Sequence, residues 1–263
     1  MFTHAIVRTP GPHAGDGLTT SLLGKPDHAT LLRQHAAYLQ TLRDLGLAIT
    51  HLDPLPGHPD AYFVEDTALL FPELAIVTRP GAPQRRGEAE AMSATLATFR
   101  TLIRLAHPAT LDGGDVLLVG KKVFVGLSER TNSSSAEQVA RILMPHGYTV
   151  VPVPVPSGLH LKSSVTWAGG KVLVLTSALA TLEAFAGYEH LIVPDEEGCA
   201  ANVLWVNGTL LVPGGFPRTT AMCARLGLPL KILDLSEVHK MDGALTCMSL
   251  RFGKHQRVRS ESA

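Results

Sequence analysis

Cysteine is scarce in this chain. Its three thiols, Cys199, Cys223 and Cys247, are odd in number and form no CxxC pair, which argues against a disulfide framework and a structural zinc site. A charge excess is also missing: Lys plus Arg number 23, as do Asp plus Glu. No bulk field therefore draws the chain to nucleic acid or to an anionic membrane, and a small neutral or zwitterionic partner is expected. No apolar run approaches the roughly 20 residues that span a bilayer. The opening MFTHAIVRTP has neither the basic start nor the apolar stretch of a signal peptide, so a cytoplasmic protein is expected. The 12 histidines include no HExxH motif and no pair four residues apart, and no metal is expected. No GxSxG elbow is present and no GxGxxG follows a strand. The stretch Gly114 to Lys122 falls short of a phosphate loop, since five residues separate its glycines and Lys122 stands where Ser or Thr would bind magnesium.

What is present is a recurring order of elements. Four stretches read as hairpins: Ala68 to Val77 across Pro72-Glu73, Val116 to Leu127 across Gly120-Lys121, Val165 to Leu175 across Gly169-Gly170, and Val203 to Val212 across Asn207-Gly208. Helix candidates follow. Ala89, Met92, Leu96, Phe99 and Ile103 recur three and four apart. Another helix starts near Ser135, where Gln138 completes a capping-box pattern, and weaker ones follow Ser177 and Pro217. An earlier helix, Asp27 to Leu45, follows a strand at Ala5 to Arg8. Each helix leads to a third strand: Ala48 to Leu52, a short one near Thr110 to Leu111, Thr149 to Val155, His190 to Val193 and Leu230 to Leu233. Hairpin starts lie roughly 40 to 50 residues apart, a propeller-like period. A fifth unit would pair Leu245 to Phe252 with Ala5 to Arg8, which removes open sheet edges. Nothing splits residues 1–252, read as one catalytic domain, from which a polar basic tail, 253–263, extends as a frayed end.

Chemistry-bearing residues fall between the third strand of one unit and the hairpin of the next. Those segments contain Phe63-Val64-Glu65-Asp66, Leu111 to Asp115, Gly158 to Lys162, Glu197 to Asn202 and Thr246-Cys247. In a closed array these places converge on one end of the axis, making Asp112, His160 and Cys247 a candidate triad of orienter, base and nucleophile. Each has a plainer reading: a thiol in an apolar strand is usually a small buried hydrophobe, and Gly-Gly-Asp can be only a turn with positive φ. Cys199 occupies a comparable position, so the repeat alone does not single out Cys247.

Several blocks, in order over almost the whole chain, resemble the dimethylarginine dimethylaminohydrolase family of guanidine-modifying enzymes. They are Asp60 to Asp66, Thr78 to Pro83, Leu111 to Asp115, Phe124 to Asn132, Gly158 to Ser163 and Asp242 to Cys247. The resemblance implies a pentein fold, a five-bladed α/β propeller of pseudo-symmetric ββαβ units, and a cofactor-free hydrolase. It implies that Cys247 attacks the guanidinium carbon, that His160 protonates the departing amine and then activates water, and that Asp112 orients His160. Glu65 and Asp66, with Asp60 and Phe63 nearby, would hold the guanidinium. Arg85 and Arg130 would clamp the substrate α-carboxylate, and backbone at Leu18 and Met241 would receive the α-amino group. The products would be citrulline and methylamine or dimethylamine. Met248 follows the nucleophile where animal relatives carry a second cysteine, and Asp112 stands where some relatives carry Glu.

These roles suit the chemistry. A guanidinium stays charged, so a pocket that desolvates it needs carboxylates, whereas arginine forks suit the carboxylate end. The thiol is expected to be protonated in the empty site and activated by the cation it attacks. Cys199 is expected to be structural or peripheral. The sequence leaves open a deiminase acting on arginine or another guanidino compound, a non-catalytic binder of guanidino ligands, and a homodimer as against a monomer.

Overall fold

The computed structural model describes residues 1–156 and 158–254, so most of the 253–263 tail lies outside the described residues. Fifteen strands form five three-stranded sheets, ordered β15-β1-β2, β3-β4-β5, β6-β7-β8, β9-β10-β11 and β12-β13-β14. In the first, β1 (His4–Arg8) pairs antiparallel with β15 (Leu250–Phe252) and parallel with β2 (Ala48–Leu52). The others repeat this scheme around a tight hairpin: β3 (Ala68–Leu70) and β4 (Ala75–Val77), β6 (Val116–Val119) and β7 (Lys122–Leu127), β9 (Val165–Trp167) and β10 (Val172–Leu175), β12 (Leu204–Val206) and β13 (Thr209–Pro213). The parallel third strands are β5 (Leu102–Arg104), β8 (Thr149–Pro154), β11 (Glu189–Ile192) and β14 (Leu230–Leu233). Such parallel returns need a crossover, which the intervening segments supply. The β1–β15 register, His4 opposite Phe252, closes the ring expected from the repeat.

Helix α1 (His28–Asp44) starts where Asp27 accepts the Thr30 amide at 2.8 Å, a cap worth about 1 kcal/mol, and buries Leu31, Tyr38, Leu39 and Leu42. Helix α2 (Arg86–Ala97) buries Ala89, Met92 and Leu96 but stops short of Phe99, and Ile103 lies on β5 instead. The third strand of that unit is therefore Leu102–Arg104, not Thr110-Leu111. Helix α3 (Ser133–Leu143) is capped by Asn132, whose Oδ1 accepts the Ser135 amide at 3.1 Å. Gln138 does not close a capping box; its amide pairs with both backbone groups of Ala106. After Ser177 there are two 3-10 turns, Ser177–Leu179 and Glu183–Phe185, in place of an α-helix. Pro217 opens α4 (Pro217–Ala224), where its missing N–H costs nothing, and α5 (Ser236–His239) follows β14.

The first strand of every unit, β3, β6, β9, β12 and β15, lines a central cavity of about 280 Å³. The segments just before four of them are 3-10 turns, Val64–Thr67, Gly113–Asp115, Leu161–Ser163 and Asp195–Ala201, and a turn at 245–248 precedes the fifth. Among the described residues no helix is long and apolar enough to cross a membrane.

Candidate active site

At the turn end of the ring lies a small pocket lined by Leu18, Asp60, Phe63, Asp66, Arg85, Arg130, His160, Met241 and Cys247, together with Leu159, Asp242 and Gly243. Residues spread from position 18 to position 247 thus face one space. Two expected site residues are not in its wall. Asp112 is fully buried behind His160, its Oδ2 3.0 Å from His160 Nε2. Glu65 lines the central cavity on the other side.

The Gly113-Gly114 pair explains how the acidic and basic segments come so close. Neither has positive φ, so the turn itself does not require glycine. Close approach does. A Cβ at Gly113 would stand 2.0 Å from the Glu65 carbonyl oxygen, and one at Gly114 would stand 2.6 Å from His160 Nδ1. The Gly114 amide donates to Asp66 Oδ1 at 2.9 Å. Asp112 is fixed at its other oxygen by the Gly81 amide at 2.9 Å, and its own amide donates to Thr131 Oγ1 at 3.1 Å. Asp115 accepts from Ser128 Oγ (2.7 Å), Thr131 Oγ1 (2.6 Å) and the Leu161 amide (2.8 Å), which anchors the chain next to His160. A buried carboxylate is tolerable with that many donors.

Proton affinities follow from this packing. Burial disfavours charge on His160, but the carboxylates of Asp66, Asp112 and Asp115 and the Asp112 hydrogen bond outweigh it and raise its pKa to about 9. The imidazole is an imidazolium at neutral pH. Asp66 is opposed by burial too, yet the Arg85 guanidinium, His160 and hydrogen bonds from Arg85 and Gly114 hold it at about 2. Burial pushes the Cys247 thiol up to about 12, and the charges of Glu65 and Asp66 push the same way. The nucleophile candidate is therefore a thiol in the empty pocket.

Beneath Cys247 four of the five segments join, with Arg251 of β15, in a polar collar. The Glu65 amide donates to the Cys247 carbonyl at 3.1 Å. Glu65 Oε2 accepts from Thr246 Oγ1 at 2.7 Å, while Oε1 pairs with Lys162 Nζ at 2.6 Å and Arg251 at 3.3 Å. Asn202 donates to the Lys162 carbonyl and Thr246 Oγ1 and accepts the Thr246 amide. The collar separates the pocket from the central cavity.

At the other end of the pocket Arg85 is buried and heavily engaged, with Asp66 at 2.6 Å, Glu88 at 2.8 Å and the carbonyls of Asp60 and Phe63. Arg130 is less committed, 3.7 Å from Asp112 and partly exposed. Over them lies the segment carrying Leu18, whose amide donates to both Asp60 oxygens, at 3.1 and 3.0 Å. It is latched by Asp242, which accepts from the Thr20 amide at 2.5 Å and from the Thr19 and Thr20 hydroxyls. Asp242 adopts φ +55°, a conformation few residues other than glycine take, which turns its carboxylate toward the segment. The enclosed space is about 20 Å³, room for about one water.

The family model for arginine deiminase matches residues 49–181. A dimethylarginine dimethylaminohydrolase of Pseudomonas aeruginosa is 41% identical over 254 residues, covering 96% of this chain and all of that protein. The chain belongs to the dimethylarginine dimethylaminohydrolase family. A second member, from Streptomyces coelicolor, is 36% identical over 94% of this chain and 96% of its own length. The Pseudomonas enzyme solved in complex with citrulline superposes with a TM-score of 0.94 at 40% identity, covering 96% of this chain and 100% of that one. The fold is thus the pentein propeller.

Membership in the family gives context to residues that sequence reasoning left without a role. Asp115, Thr131, Lys162 and Asn202 all stood in the segments already singled out, but a polar residue that holds a loop looks the same in sequence as one that faces solvent. Asp242 followed Met241 with no signal beyond its place in a block. Cys199 is exposed and Cys223 buried, and neither lines the pocket. Asp66, Asp112 and His160 bring one potential metal-ligand atom each to within 4.8 Å of one another. A cation there would have to displace the His160 proton and compete with Arg85 for Asp66, so the set is better suited to holding a proton.

Proposed function

We propose that this protein hydrolyses N-methylated L-arginine, asymmetric dimethylarginine and monomethylarginine, to L-citrulline and dimethylamine or methylamine. The observation that carries this reading is the placement of a protonated thiol, Cys247, in one small pocket with Asp66 and a carboxylate-backed imidazolium, His160. A guanidinium entering beside Asp66 and Asp60 replaces the lost solvation of its charge with carboxylates and at the same time lowers the cost of forming the Cys247 thiolate. His160 already carries its proton, so the thiol proton leaves to solvent and not to the imidazole.

Thiolate attack on the guanidinium carbon gives a tetrahedral adduct. His160 donates its proton to the departing methylated amine, and a covalent thiouronium remains on Cys247. The neutral imidazole then accepts a proton from water as that water attacks the same carbon, and collapse, with the adduct's hydroxyl proton passing to sulfur, releases citrulline and the Cys247 thiol. Asp112 keeps Nε2 of His160 engaged throughout. Arg130, with the free donor capacity of Arg85, receives the substrate α-carboxylate, and backbone at Leu18 and Met241 receives the α-amino group. Three free thiols suit a reducing compartment, and the cytoplasm is the expected location.

Incubation with asymmetric dimethylarginine, monomethylarginine and arginine, with citrulline detection, tests the proposal. Citrulline from the methylated substrates supports it. Folded protein that yields citrulline only from arginine would make it a deiminase, and none from any of the three would remove the catalytic reading.

A further inference from the structure

The central cavity on the far side of the collar plays no part in the reaction above, yet its lining is sharply divided. Around the ends of the first strands its wall is aromatic and aliphatic, with Trp167 and Trp205 at 5.0 Å between ring centroids and with Phe2, Leu69 and Leu118 nearby. At the collar end stand two cations, Lys162 and Arg251, against a single lining carboxylate, Glu65. Both cationic side chains are about nine-tenths buried, with exposures of 11% and 10%. Arg251 reaches Glu65 through Nη2, while Nη1 donates to the carbonyls of Thr246 and Ser249 and to Ser249 Oγ. Two lining cations against one lining carboxylate, at the collar end of an apolar shaft, leave a positive charge that a ligand anion would offset.

We propose that this cavity is a second ligand site, specific for a monocarboxylate with an aromatic or branched apolar body. One negative charge matches the excess of one cation over Glu65, and a carboxylate accepts well from a guanidinium. Strands of three or four residues, at about 3.3 Å each, make a shaft roughly 10 Å deep, which a carboxylate on a short apolar arm spans. The volume of about 280 Å³ admits such a molecule. The site is also wired to catalysis: Glu65, which would share Lys162 and Arg251 with the ligand, binds the Cys247 carbonyl through its amide. This inference concerns a separate cavity and stands whether or not methylated arginines are the substrates.

The chain has only two tryptophans, and both line this cavity and not the catalytic pocket. Their fluorescence therefore reports occupancy directly. Titration of the whole protein with 3-phenylpropionate should give a saturable change in intensity and emission maximum. The uncharged 3-phenylpropionamide should bind at least about tenfold more weakly, since it lacks the charge-assisted bonds. Saturating citrulline should not displace the acid, and Arg251→Met should weaken it by a similar factor. Absence of a saturable change, equal binding of acid and amide, or simple competition with citrulline would overturn the proposal. If Arg251→Met fails to fold, as judged by its melting transition, the acid-against-amide comparison on the unaltered protein decides the matter.

Discussion

Cys199 and Cys247 lie in corresponding segments of the fourth and fifth units, and their surroundings could hardly differ more. Cys247 stands three residues before β15, the same offset at which Glu65 precedes β3, Gly113 precedes β6 and Lys162 precedes β9. Cys199 stands five residues before β12, on the exposed side of its 3-10 turn, and the inward place in that unit falls to Ala201 and Asn202. Offset alone does not separate them: His160 precedes β9 by the same five residues and lines the pocket, while Glu65, Gly113 and Lys162 share the offset of Cys247 and line the central cavity. The repeat delivers a segment to the right end of the ring, and the local course of each turn decides which side chain meets the pocket.

Replacing each thiol tests this contrast most severely. Cys247→Ser should lower kcat by at least about 10⁴-fold, because the residue that forms the covalent bond is lost, while citrulline binding followed by calorimetry persists. Removing what orients the imidazolium comes next. Asp112→Asn should reduce kcat about 10² to 10⁴-fold and, by withdrawing a carboxylate that supports the proton on His160, move the bend of the pH–rate profile to lower pH. Gly114→Ala, which drives a methyl toward His160 Nδ1, should cost about 10 to 100-fold in kcat with little change in melting temperature if the imidazole gives way.

The pH dependence has a defined sign. His160 must hold a proton to release the amine while Cys247 must lose one to solvent, so with the imidazole near 9 and the empty-site thiol near 12, kcat/KM should rise about tenfold per unit as pH approaches 9 and level off above it. The same group adds to stability below its unfolded value near 6.5, and that contribution disappears as pH rises through about 9. The smallest effect belongs to the other thiol. Cys199→Ser should leave kcat/KM within about twofold and stability within about 0.5 kcal/mol. Iodoacetamide, followed by peptide mass spectrometry, should label Cys199 before Cys247 in the substrate-free protein, since Cys247 is held near 12. Comparable losses from the two serine replacements would mean that a place in the pocket wall does not select the nucleophile.

Much of the fold was legible because hairpins announce themselves. Gly120-Lys121, Gly169-Gly170 and Asn207-Gly208 each sit between β-branched runs, and Asn207 takes φ +49° as such a turn requires. Strand β5 was not legible. Three residues cannot display an alternation, and Ile103 also completes a helical spacing with Phe99, so the helix absorbed it. The Ser177 region lacks a sustained apolar stripe and resolves into two single turns. In the site, Phe63, Asp66, His160 and Cys247 were found from their segments, Leu18, Asp60, Arg85, Arg130 and Met241 only through the family resemblance, and their connections not at all. The spacing of Gly-Gly-Asp does not disclose that glycine serves close approach to Glu65 and His160, with φ ordinary. Likewise, Glu65-Asp66 reads as one acidic unit, whereas the 3-10 turn sends the two carboxylates to opposite sides of the collar. The resemblance assigns Arg85 to the substrate carboxylate, but only the fold reveals that Asp66 and Glu88 enclose it.

The pairing of β15 with β1 also bears on the order in which the molecule becomes competent. That contact joins the two most widely separated strands of the chain, and closing so long a loop carries the largest chain-entropy cost of any strand pairing in the ring. Cys247 lies in the turn that leads into β15, so its carboxylate surroundings are completed at the same step. Until then it is an ordinary solvent-facing thiol, open to oxidation and alkylation. Ring closure thus doubles as chemical protection: the event that surrounds Cys247 with carboxylates also holds its proton in place.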